Sequence, residues 1–198
     1  GGFVSEWTDY SGNNLHAIQI EILRRPIQTN AIYNMHSAVR FDGTNDYLIT
    51  NFLDSLEQPI TVFVVWKKNA TKQQTIFDGL ANGYRMSFSY PYSNIELMSV
   101  LAGGLGNGLT YTKPLTDQLS INSIIFSSNS KVFDNGVLKG SSPNVGNNYV
   151  DGFILGSYYN FTRFFNGDIA EFIVYDTEIS AEQRVDVENY LIKKYAPA

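Results

Sequence analysis

Phe164-Phe165-Asn166-Gly167-Asp168-Ile169-Ala170-Glu171-Phe172-Ile173-Val174-Tyr175-Asp176 is the stretch that decides how this chain folds. A turn leads into a run whose alternate faces are both mostly apolar. Ile169, Ile173 and Tyr175 are expected on one face, and Ala170, Phe172 and Val174 on the other. A strand written that way lies in the middle of a protein, covered on both sides. The one convincing helix follows, over 181–195. Ser180 and Gln183 stand at capping-box spacing, Lys193 and Lys194 suit the C-terminal dipole, and Val187, Tyr190, Leu191 and Tyr195 supply an apolar face.

Working outward, 60–67 is a second doubly apolar strand, with Ile60, Val62, Val64 and Trp66 alternating with Thr61, Phe63 and Val65. Further strands are expected over 37–42, 46–50, 74–78, 84–90, 94–101, 119–126, 152–157 and 168–176. Asn135-Gly136 is the tight turn of a hairpin over 131–139. Residues 5–35 carry turn signals without a clear period and are expected to be irregular. The glycine-dense run 103–108 has no Gly-Lys-Ser/Thr and no helix after it, so it reads as an inter-strand loop and not a nucleotide cradle. Many short strands and one terminal helix give an all-β class: a two-sheet antiparallel β-sandwich with one short C-terminal α-helix, formed by a single domain over 1–198.

Composition narrows the function classes. The 198 residues include no cysteine, which removes disulfides, thiol nucleophiles and thiolate metal sites. The net charge is −5 and Lys/Arg residues cluster no further than pairs, so nucleic acid is not an expected partner. No run of 18 apolar residues exists, which argues against membrane insertion, and no signal peptide is visible at the N-terminus.

Several segments, in order, resemble the laminin-G-like domains of the concanavalin A-like lectin/glucanase superfamily. Trp7-Thr8-Asp9-Tyr10-Ser11-Gly12-Asn13 is similar to the family's opening motif, and Val39-Arg40-Phe41-Asp42-Gly43-Thr44-Asn45-Asp46-Tyr47-Leu48 to its early hairpin. Thr61–Val65 is similar to the long central strand and Asp134-Asn135-Gly136 to a later hairpin. Phe153–Ser157, Phe164–Asp176 and the helix then resemble the family's ending. The resemblance implies a jelly roll. It does not by itself imply a ligand, because the fold hosts lectins, adhesins, glycanases, lyases and structural modules.

Sugar recognition uses aromatic faces for C–H surfaces and polar side chains for hydroxyls. Two aromatic loops qualify: Tyr90, Tyr92 and Asn94 in one, Tyr158, Tyr159, Asn160 and Arg163 in the other. Asp42, Asn45 and Asp46 are the candidate metal ligands, for calcium; the competing reading is a turn in which these side chains bond their own backbone. A retaining glycanase needs two facing carboxylates, and Asp168 and Glu171, three apart, are expected on opposite faces of their strand. His16 and His36 belong to no catalytic motif. The expected function is therefore non-catalytic, lectin-like recognition or adhesion on an exterior surface (extracellular, cell surface or virion), with a glycan or surface polysaccharide as partner. The alternative is a structural or assembly module that contacts other proteins of a particle or fibre. A divergent glycanase comes third.

Overall fold

The computed structural model describes residues 1–92, 96–103, 108–114 and 118–195. Its elements in chain order are β1 (Glu6–Trp7), β2 (Ala17–Ile18), a 3-10 turn (Ile22–Arg24), β3 (Ile27–Tyr33), β4 (His36–Asp42), β5 (Leu48–Leu56), β6 (Ile60–Lys68), β7 (Gln74–Gly79) and β8 (Ser87–Tyr90). They continue with β9 (Leu97–Leu101), β10 (Leu109–Thr112), β11 (Ser120–Phe126), β12 (Ser130–Asp134), β13 (Val137–Ser142), β14 (Val150–Leu155), β15 (Asn166–Tyr175) and α1 (Ala181–Tyr195). Every strand pairing is antiparallel. One sheet has the order β1-β2-β5-β14-β7-β8-β9-β10 and the other β13-β12-β11-β6-β15-β4-β3.

The two doubly apolar strands, β6 and β15, are neighbours in the seven-stranded sheet. Ile60, Val62, Val64 and Trp66 face the inter-sheet core, together with Phe77, Phe88, Met98, Phe126 and Phe153. Phe63 and Val65 face the other way, into a second cluster closed by Leu191 and Tyr195 of α1. One sheet thus serves two apolar layers, and its central strands need apolar residues at every position. The helix begins as expected: the Ser180 Oγ accepts from the Gln183 N–H (3.1 Å) and the Gln183 Oε1 accepts from the Ser180 N–H (2.9 Å). The Asn135-Gly136 turn takes φ of 49° and 78°, as a tight hairpin requires.

β15 differs from its period-two reading in one respect. The pairing with β6 slips by one residue between Ile169 and Glu171. Ile169 therefore joins Phe172 and Val174 on the core side, while Ala170, Ile173 and Tyr175 share the helix side. A bulge inserts one residue and reverses the alternation beyond it. The 5–35 segment is also more ordered than expected, since it supplies β1, β2 and β3. These are short or edge strands in which Gln28 and Asn30 stay exposed, so no apolar alternation marks them. β10 was likewise unmarked.

Candidate functional site

The register places four connections at one end of the sandwich. Phe126 pairs with Ile60, Val150 with Leu56 and Ser130 with Ser142. The β5–β6, β11–β12 and β13–β14 connections therefore emerge together, with the β7–β8 loop beside them. Gln58 ties them, its amide donating to the carbonyls of Gly146 (3.0 Å) and Asn148 (3.1 Å). The Asn148 N–H reaches the Ala102 carbonyl at 3.1 Å. Between these loops lies an open depression of about 960 Å³ lined by Glu57, Gln58, Ser127, Ser128, Asn144, Asn147 and Tyr149.

Tyr84 lies against Tyr149, with ring centroids 4.5 Å apart and planes tilted by 32°. The Tyr149 phenol is pushed up to about 12, first by its hydrogen bond with Tyr84, with burial and the charges of Asp151 and Glu57 adding to it. The Tyr149 ring, backed by Tyr84, the exposed Asn144 and Asn147 amides, and the Glu57 carboxylate thus meet at one depression. Such a site can stack a C–H face on the rings while hydroxyls bond to amide and carboxylate groups.

The residues expected from sequence are elsewhere and differ in fate. Tyr90 is corrected: it lies in the inter-sheet core at 1 % exposure with its ring 5.9 Å from that of Trp66, leaving no face for a ligand. It ends a strand with period-two alternation, and Phe88 and Tyr90 take the core side. Tyr92 is 58 % exposed. Asn94 lies outside the described residues. Tyr158 and Tyr159 fold back over the end of β7, with the Arg85 guanidinium 4.4 Å and 4.8 Å from their ring centroids. Arg163 lies over Tyr158 at 4.3 Å. Beneath them Arg85 holds the fully buried Asp78 by donating from its Nε and one Nη, and the Tyr159 N–H donates to the same carboxylate at 3.2 Å. Burial pushes the Asp78 carboxyl up, against the opposing pull of Arg85. These tyrosines thus cover a buried ion pair, while Asn160 stays exposed and accepts from the Thr162 hydroxyl.

The Asp42–Asp46 segment takes the form of a self-bonded turn. Asp42 Oδ1 accepts from the N–H groups of Thr44 (2.7 Å) and Asn45 (3.3 Å), and Asp46 Oδ2 from that of Asp42 (3.0 Å). Asn45 donates to the Leu23 carbonyl, and the Lys72 ammonium to the Gly43 carbonyl. Burial pushes the Asp46 carboxyl up to about 6, with Asp42 adding repulsion against the lowering effect of the Asp42 amide. Among the described residues no group of three or more His, Cys, Asp or Glu side chains is placed to hold a metal ion.

The bulge in β15 also corrects the expectation for Asp168 and Glu171. Both turn to the helix side, yet each is held separately. Asp168 receives Arg40 at 2.6 and 2.9 Å and the Tyr33 hydroxyl at 2.7 Å, while Glu171 receives Lys194 at 2.8 Å and the Tyr195 hydroxyl. His16 accepts the Asp9 N–H within the opening turn. His36 packs edge-on against Tyr195.

No family model and no curated protein matches the chain by sequence. Solved structures do match. A heptameric SAP-like pentraxin from Limulus polyphemus is similar at a TM-score of 0.59 and 16% identity, over 76% of this chain and 81% of that one. The receptor-binding domain of a botulinum neurotoxin C/D mosaic serotype is similar at 0.70 and 15% identity, over 93% of this chain and 48% of its own. A botulinum neurotoxin DC binding domain in complex with rat synaptotagmin II gives 0.68 and 14%, with the same coverages. The chain thus spans about half the length of the toxin binding domains it matches. Among the described residues no helix is long and apolar enough to cross a membrane. What these proteins share with the chain is the jelly-roll fold.

Proposed function

We propose that residues 1–198 form one laminin-G-like recognition domain that binds a glycan without catalysis, on a surface exposed outside the cell or on a virion. The depression lined by Tyr149, Glu57, Asn144 and Asn147, with Tyr84 packed on Tyr149, is the proposed site. The observation that carries this reading is the Tyr84–Tyr149 pair at its rim, two rings 4.5 Å apart with amide and carboxylate groups around them. A similar domain from botulinum neurotoxin DC was solved in complex with SialylT, and that likeness of fold supports a sugar as ligand. Tyr92 and Asn160 are the exposed members of the two aromatic loops and are secondary candidates for sugar contact. Calcium at Asp42, Asn45 and Asp46 is a weaker part of the proposal, because the turn already bonds those side chains.

A glycan array probed with the protein in calcium and again in EDTA tests the reading. Saturable binding to a defined sugar supports it, and loss of that binding in EDTA would bring the metal into the site. Absence of binding under both conditions overturns it. The second reading, an assembly module, is favoured by a separate observation. Phe3, Ile20, Ile22 and Leu23 are exposed along one N-terminal segment, Leu23 at 86 %, and contiguous apolar surface of this kind marks protein contacts.

A further inference from the structure

A groove runs along the open flank of the sandwich, apart from the tyrosine depression. Two cavities, of about 560 and 510 Å³, share Asp9, Ser11, Leu15, Thr50, Phe172 and Val174 and so form one trough. Its outer wall is the turn after β1, which Asp9 holds by accepting from the N–H groups of Ser11 (2.8 Å) and Leu15 (2.9 Å). Its floor is apolar: Phe52, Leu56, Phe172 and Val174 are only half-buried, although they pack on the inter-sheet core.

Along this trough β15 has an unpaired edge. Its pairing with β6 continues to Tyr175, whereas its pairing with β4 covers only Asn166–Ile169. From Glu171 to Tyr175 no strand pairs with the side away from β6 among the described residues; the end of β4, His36 and Ser37, only lines the trough there. In an antiparallel sheet alternate residues turn both N–H and C=O to each side. An unpaired edge beside an apolar trough is a template for another strand. β5 is similarly open on this flank: it meets β2 only at Ile18 and Ile49, although its pairing with β14 reaches Leu56.

We propose that the edge of β15 from Glu171 to Tyr175 takes up an extended segment of a partner protein as an added strand. Five residues would span about 17 Å, with alternate apolar side chains entering the trough over Phe172, Val174 and Phe52. The half of the trough lined by Asp9 and Asp176 contains no Lys, Arg or His. An antiparallel strand brings its N-terminal end there, so the segment carries a basic residue at that end. A second copy of this chain, paired antiparallel, fits less well, because it would bring its own Glu171 toward that acidic end and both copies carry a net charge of −5. This inference does not rest on the glycan reading.

The test uses a synthetic peptide of one lysine followed by alternating valine and threonine, titrated onto isotope-labelled protein. We expect saturable amide shifts confined to Glu171–Tyr175, Phe52 and Leu56, and slowed hydrogen exchange in part of that run. The same peptide N-methylated at alternate backbone nitrogens should bind about tenfold more weakly or worse, since each methylated nitrogen loses its backbone hydrogen bond. Replacing its lysine by glutamate should also weaken it, as should Val174→Lys, with the fold of that variant checked by circular dichroism. Equal binding of the methylated peptide, or no shifts at millimolar peptide, overturns the proposal. So does a sedimentation profile showing that the free protein dimerises and protects the same amides, which would make a second copy the occupant.

Discussion

Lys68 ends β6 with its ammonium buried, without a hydrogen-bond partner among the described residues, and 5.0 Å from the Tyr90 ring centroid. Burial pushes its pKa down, the neighbouring Lys113 pushes it further, and Glu96 opposes. An ammonium held out of water without a partner is a net cost, and Lys68→Met should stabilise the protein by about 1–3 kcal/mol at pH 7. A lysine whose folded pKa lies below its unfolded value costs stability at lower pH, and that cost fades as pH rises toward 10.5. The gain in melting temperature from Lys68→Met should therefore shrink as pH rises toward 10.5. Asp46 has the opposite sign. Its folded value of about 6 lies above the ordinary value of 3.8, so its contribution to stability is full below pH 3.8 and lost as pH rises through 6. Asp46→Asn keeps an acceptor for the Asp42 amide and should raise the melting temperature at pH 7 but not at pH 3.5. A fall at pH 7 would contradict this account of the turn. Among candidate site residues, Tyr90 was misread because a loop aromatic and the last core residue of a strand look alike until register is known. Tyr84 and Tyr149 lie 65 positions apart in the chain, and no local pattern pairs them.

The elements most legible in the sequence are those doing two packing jobs. β6 and β15 show apolar residues on both faces because one face meets the opposite sheet and the other meets α1. Edge strands β3 and β10 were not legible, since half of each faces water and neither carries an apolar alternation long enough to stand out. The bulge in β15 was also hidden: a slip in register is a relation between two strands, and Ile169-Ala170-Glu171 contains no glycine or proline to announce it. The helix start was visible in four residues. Ser180→Ala should remove the bond to the Gln183 N–H and destabilise the protein by about 1 kcal/mol. Denaturant melts should show this as a lower midpoint with an unchanged slope. No loss at all would mean that α1 is held by Leu191 and Tyr195 alone.

At the scale of the whole molecule, the sandwich leaves its ends and one flank to carry function. One end gathers four inter-strand connections around the tyrosine depression, and the open flank exposes the unpaired edge of β15. The fold follows from the chain because burial repeats locally along each strand. The site does not, because Glu57, Tyr84, Asn144 and Tyr149 come from three connections brought together only by strand order. Calorimetric titration of the best array sugar into the wild-type protein, Tyr149→Ala and Tyr159→Ala tests the central claim most directly. Loss of the Tyr149 ring should weaken binding about tenfold, the scale of one aromatic contact, while Tyr159→Ala should bind as the wild type does. Equal affinity for wild type and Tyr149→Ala, or a loss confined to Tyr159→Ala, would contradict the assignment of the depression and move the site to the Tyr158–Arg163 loop.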